Sequence, residues 1–244
     1  MSLFGRAALP AAVRVAGREL PVIAERRAGA RGIRLRADPV QGAVRISLPA
    51  RGGVAEAVAL IAGHQAWLAE QVSRWPRPRP FAPGALIPFD GAELRIDWAE
   101  THPRTPRLTQ DALSVGGPLV SLPARVQRWL GATALADLSA ATHEIAADIG
   151  KSVAAVGIGD PRGRWGSCIQ DKAGGRIRYS WRLILAPAAV RRHIVAHEVA
   201  HLVHANHGPD FYALLARLDG NQAMSRTWLK RHGAALHWVG RSEA

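Results

Sequence analysis

Apolar and polar residues alternate with period two over the first fifty positions, in "VRVAGRELPVI" and again in "IRLRADPVQGAVRISLP". This predicts strands joined by glycine-containing turns, with Val13, Val15, Leu20, Val22, Ile33, Leu35, Val44, Ile46 and Leu48 facing a core. From Val54 to Trp75 the spacing becomes helical, through Val58, Ile61, Gln65, Leu68 and Val72. The proline-rich stretch 76–84 stops that helix and forms a stiff connector. Asp90-Gly91 then sits between two alternating runs and predicts a hairpin. Helical spacing returns over 122–150, through Val126, Leu130, Leu135, Leu138 and Ile145, and a strand is predicted at Val153–Ile158. After a Gly- and Arg-rich loop, "RIRYSWRLIL" alternates Ile177, Tyr179, Trp181 and Leu183 as a further strand. Pro187 marks the start of a helix from Ala188 to His204, and two more helices are predicted at Pro209–Leu218 and Ser225–Trp238. There is no internal repeat.

These elements predict an α+β protein: a β-rich N-terminal part over 1–120, with one helix, and a second domain over 121–244. Hydrophobic residues make up 48% of the chain and charged residues 21%, which excludes a disordered or fibrous protein. The single cysteine, Cys168, excludes an intrachain disulfide and suits a reducing compartment. No apolar run reaches the roughly 18 residues of a membrane span, and Arg6 and Arg14 interrupt the N-terminal segment, so a cytoplasmic protein without a membrane partner is expected. The net charge of +13 leaves a nucleic acid or nucleotide open as a partner. Its even spread along the chain, with lysine only at 151, 172 and 230, makes arginine the general solvating residue and gives no basic arm.

The chemistry is concentrated late in the chain, where "HIVAHEVAHLVHANH" holds five histidines between His193 and His207. His197 and His201 are four apart, so on a helix they share a face and can converge on one tetrahedral metal. Glu198 lies about 100° further round the helix, too far to ligate at the same point but placed to act on a water there. A catalytic zinc requires a third ligand, and His193, His204 and His207 compete for the role, with Asp210 a more distant candidate. On a straight helix His193 lies too far from His201, and His204 too far from His197. His207 becomes available only where the helix ends, which Asn206 in a left-handed conformation and Gly208-Pro209 would bring about.

Four segments, "RGRWGSC" (162–168), "WRLILAP" (181–187), "HEVAH" (197–201) and "NHGPDF" (206–211), together resemble the YgjP-like metallopeptidases over nearly the whole chain, from about 13 to 238. The resemblance implies a zincin-like catalytic core, an antiparallel or mixed sheet packed on helices, behind a β-rich N-terminal part. It implies zinc on His197, His201 and His207. Gly208 stands where the family often has serine, and His204 where the similarly spaced metzincins carry a turn glycine.

On this basis the expected activity is peptide-bond hydrolysis, with Glu198 as general base to a metal-activated water. The strand over 176–183 is the expected docking edge for a peptide or protein substrate, with Arg178, Tyr179 and Arg182 as candidate substrate-binding groups. Trp165, Gly166 and Asn206 are expected to shape the site. Ser167-Cys168 lacks a recognisable base, which argues against a covalent nucleophile. The same metal site would also suit hydrolysis of nucleotide phosphoanhydrides or another small anion. A nucleic-acid-associated protease or a zinc-containing binding module is a further alternative. Oligomeric state is not encoded in any feature of the sequence.

Overall fold

A computed structural model describes residues 8–171 and 174–242. The chain divides into two compact units, Met1–Arg77 and Pro78–Ala244, with the boundary inside the proline-rich stretch. The whole is α+β, with six α-helices and three mixed sheets among the described residues.

In the first unit, β1 (Ala12–Val15) and β2 (Arg18–Arg27) form a hairpin through Ala16 and Gly17, both at positive φ. With β3 (Arg34–Asp38) and β4 (Ala43–Pro49) they make a sheet of order β1-β2-β4-β3, in which β2 and β4 run parallel. Val15, Leu20, Val44, Ile46 and Leu48 are buried. The helix predicted over 54–75 is two helices, α1 (Val54–Gly63) and α2 (Gln65–Ser73). His64 breaks it: its N–H bonds the Ile61 carbonyl one residue early and its ring Nδ1 lies 2.9 Å from the Leu60 oxygen. Within α1 Val58 is 36% exposed, and Ala57, one turn before Ile61, takes the core position expected of Val58, with Leu68 and Val72 continuing the stripe in α2.

The second unit opens with β5 (Leu86–Phe89) and β6 (Ala92–Trp98), joined at Asp90 and Gly91, both at positive φ. Two short strands that periodicity does not reveal, β7 (Arg107–Leu108) and β8 (Ala112–Val115), complete a sheet of order β5-β6-β8-β7. The long helix α3 (Leu122–Ala147) buries Leu122, Val126, Leu130, Ala134, Leu138, Thr142 and Ile145. This stripe leaves Leu135, expected in the core, 38% exposed.

A second sheet follows, made of β9 (Val153–Gly159), β10 (Gly166–Asp171) and β11 (Gly174–Ser180) in the order β10-β11-β9. β10 occupies much of the segment expected to be a loop. β11 is shorter than its alternation predicts, because the Ser180 hydroxyl accepts the Arg182 N–H and opens a 3-10 turn over Trp181–Leu185 in which all five side chains are buried. The metal-motif helix, α4 (Ala188–Ala200), is followed by α5 (Pro209–Leu218) and α6 (Gln222–Leu236). One core joins the inner faces of both sheets to α3, the 3-10 turn and α4. No helix among the described residues is long and apolar enough to cross a membrane.

Candidate metal centre

Helix α4 is buried on most of its circumference, so its polar residues occupy defined places. Arg191 anchors its first turn, donating to Asp137 on α3 (2.9 Å), to Asp90 in the β5–β6 turn (2.8 Å) and to the Ala186 carbonyl (2.7 Å). His193, one of the candidate ligands, is engaged elsewhere: its Nδ1 is 2.7 Å from Asp219 Oδ2, and both residues are buried. One turn later His197 and His201 point the same way, their rings 5.1 Å apart.

The helix ends at Ala200, four residues earlier than its pattern suggests. Two tightening turns end it, with the Leu202 N–H bonding Val199 and the Val203 N–H bonding Ala200, whose carbonyl also takes the His204 N–H. The chain reverses without a left-handed Asn206, since the non-glycine residues at positive φ among those described are Ala16 and Asp90. Asn206 contributes its carbonyl, which accepts the Gly208 N–H at 2.9 Å, and extended Gly208 leads into α5 at Pro209. The reversal returns His207 to the two helix histidines, with its ring 5.0 Å from His197 and 4.8 Å from His201. His204 and Asp210 instead line a hollow on the other side of the turn, with Lys151 and Arg217.

One ring nitrogen each from His197, His201 and His207 falls within a 4.8 Å cluster, and His207 Nε2 stands 3.2 Å from His197 Nε2. Two nitrogens on one tetrahedral zinc, each at about 2.0–2.1 Å, are about 3.3 Å apart, so this donor set fits the ion. The His201 Nδ1–H donates to the His204 carbonyl at 3.0 Å, which leaves Nε2 as the free lone pair. Burial, then the neighbouring His201 and His207, pushes the His197 pKa down to about 4, so the imidazole is neutral and ready to donate at pH 7. Phe211, fully buried on α5, packs 4.7–5.1 Å from all three rings and fixes their orientation.

Glu198, 6% exposed, lies under the start of β10. Burial raises its pKa to about 7, and Arg164 pulls it back in part. Gly166 makes room for it: a Cβ there would lie 2.6 Å from both Cγ and Oε1 of Glu198. Trp165 sets this strand start, with its carbonyl accepting the Ser180 N–H at 2.8 Å and its ring 5.3 Å from His237 and close over Gly233. Cys168, further along β10, has its pKa raised to about 11 by burial and by Glu198, and is therefore a thiol at neutral pH.

The expected substrate contacts are relocated. Tyr179 is fully buried with its hydroxyl 2.9 Å from Thr142 Oγ1, and Arg182 is consumed by Asp160 (2.7 and 3.1 Å) and by the Leu236 and Val239 carbonyls. Neither presents a group to a substrate. Arg178 points to the opposite face of the sheet, lying on Gly159 with Nε 3.3 Å from the Ile158 carbonyl. β11 is the central strand, paired on both sides, so it offers no edge.

The edge belongs to β10, which packs on α4. The Ser180 N–H to Trp165 carbonyl bond sets the ladder phase, so Ser167 and Ile169 bond to β11. Gly166, Cys168 and Gln170 consequently turn their backbone N–H and C=O groups outward. Sequence patterning misses this edge because "RWGSCIQ" shows no clean alternation. It also misses Phe211, although its i, i+4 spacing from His207 was available, and Tyr212, whose ring stacks 6.2 Å from His207.

A three-imidazole cluster on a helix and its following turn, with a buried carboxylate beside it under a sheet edge, could hold a metal ion and has the arrangement of the zincin-like class. The chain belongs to the YgjP-like metallopeptidase domain family, whose model matches residues 31–232. Comparison with curated proteins and with solved structures gives no significant match.

Proposed function

We propose that this protein is a zinc-dependent metallopeptidase in which His197, His201 and His207 hold the ion and Glu198 is the general base. The observation that carries this reading is the convergence of three imidazoles next to a buried carboxylate that has no ion-pair partner among the described residues. A structural zinc site is closed by a fourth protein ligand, whereas a catalytic one keeps a position open. Here three side chains converge and the fourth nearby group is a base. When bound, zinc would polarise the substrate carbonyl and lower the pKa of water towards neutrality.

Glu198 takes the proton from the attacking water and delivers it to the departing amine, a role for which a pKa near the working pH is well matched. Gly166, Cys168 and Gln170 hold an extended peptide by strand addition along the β10 edge, presenting its carbonyl to the centre. The Gln170 side chain, bonded to the His201 carbonyl, ties this edge to the metal-binding helix. The half-buried thiol of Cys168 suits a reducing, cytoplasmic setting.

The test compares wild type with Glu198→Gln, both zinc-loaded, on an unstructured protein such as casein and, separately, on nucleoside triphosphates. Casein cleavage by wild type, its loss in Glu198→Gln and equal zinc content in the two proteins are expected. Hydrolysis of the nucleotides alone would replace the peptidase reading with the phosphoanhydride one, and undiminished cleavage by Glu198→Gln would remove the base from its role.

A further inference from the structure

The two buried arginines among the described residues of the second unit are committed to carboxylates, Arg182 to Asp160 and Arg191 to Asp90 and Asp137. Two exposed arginines next to the metal centre have no carboxylate partner among the described residues. Arg226, on α6, holds its guanidinium 5.6 Å from the Tyr212 ring centroid, and that ring in turn stacks on His207. Arg164 lies two residues before Gly166, whose α-carbon is against the Glu198 carboxylate.

We propose that Arg164 and Arg226 flank the centre as anion-binding rims and select peptides carrying carboxylates beside the scissile bond. The inference rests on the peptidase reading and names its substrate class. Arg164 leads into β10, whose Gly166 lies against Glu198, and Arg226 lies over Tyr212 by His207. An extended peptide advances about 3.3 Å per residue, so residues on either side of the cleaved bond pass within reach of long guanidinium side chains. The stacking of Arg226 on Tyr212 limits its rotamers while leaving its N–H groups free for a carboxylate.

The experiment uses the zinc-loaded full chain and a peptide it cleaves, resynthesised with Glu, Gln or Lys on each side of the scissile bond and with a free or amidated C-terminus. A preference of about fivefold for Glu over Gln is expected at each rim, weakening with salt. Arg226→Glu and Arg164→Glu should each reverse the Glu-to-Lys order on one side of the bond. A preference confined to the free C-terminus would assign the rims to a terminal carboxylate of the same chemistry. Equal kcat/KM for Glu and Gln peptides, or a preference that survives the double charge reversal, would overturn the inference and leave the peptidase reading intact. Failure to cleave any peptide would instead remove the peptidase reading. In that event, fluorescence anisotropy of labelled acidic and neutral peptides on zinc-loaded Glu198→Gln protein still decides, because equal affinities overturn the rims.

Discussion

Gly166 matters because of what it lacks. Its missing side chain is the space in which the Glu198 carboxylate sits, so Gly166→Ala should displace the base by a few tenths of an ångström or more. Overpacking of this kind costs about 1–3 kcal/mol. Activity should fall by at least tenfold while zinc stoichiometry, measured by elemental analysis, stays at that of the wild type. Glu198 also leaves a mark on stability. In the metal-free fold its carboxyl keeps a proton up to about pH 7, whereas its ordinary pKa is 4.5, so folding takes up a proton between these values. Its contribution therefore weakens as pH rises through that window, by on the order of 3 kcal/mol in full. His197 and His237, both pushed down to about 4 by burial, act in the opposite sense, and their contribution is lost as pH falls from 6.5 to 4. Urea unfolding of the metal-free protein should show stability declining on acidification through that range, and more steeply in Glu198→Gln. Parallel curves for the two proteins would contradict the buried carboxyl. At this scale the sequence identifies the helix pair His197 and His201 by spacing alone. The return of His207 was legible only as a turn of unknown geometry, and the chain makes it through tightening bonds on Val199 and Ala200.

The elements show where periodicity succeeds and where it misleads. Long amphipathic segments such as α3, and the Asp90-Gly91 hairpin, are legible because burial imposes a repeat over many residues. The β10 edge is not, because β10 is short and carries a glycine, which leaves room for Glu198, in place of an apolar residue. Ser180 makes the opposite error possible, since alternation continues past it into a 3-10 turn and so kept Arg182 on a strand, among the candidate substrate contacts. The β10 reading has a direct test in substrates N-methylated one amide at a time. Alternate positions should each lose about fivefold in kcat/KM, near 1 kcal/mol for one hydrogen bond, with the intervening positions little affected. A flat N-methyl scan would exclude strand addition. Helices α4 and α5 are tied by His193 and Asp219, a buried pair that competes with no metal. Asp219→Ala should cost about 3 kcal/mol in denaturant unfolding, because it strands a buried imidazole. Unchanged stability would show the pair to be dispensable.

For the molecule as a whole, the three histidines that could hold a metal all lie in the unit Pro78–Ala244. Zinc that binds only the folded form stabilises that unit by mass action, by about 2.7 kcal/mol at a hundredfold excess over Kd. Hydrogen exchange with and without zinc should therefore show added protection in α4, the following turn and α5, and none in β1 to β4. Protection spread evenly over both units would argue against a local site. The most distant pair of the proposed ligands, His197 and His207, is only ten positions apart in the chain. Closing so short a loop forfeits little chain entropy, so a departing ion severs no long-range cross-link. Chelation should thus silence the protein without unfolding it, and an added ion should restore it at once, which makes the local supply of metal a reversible control on turnover.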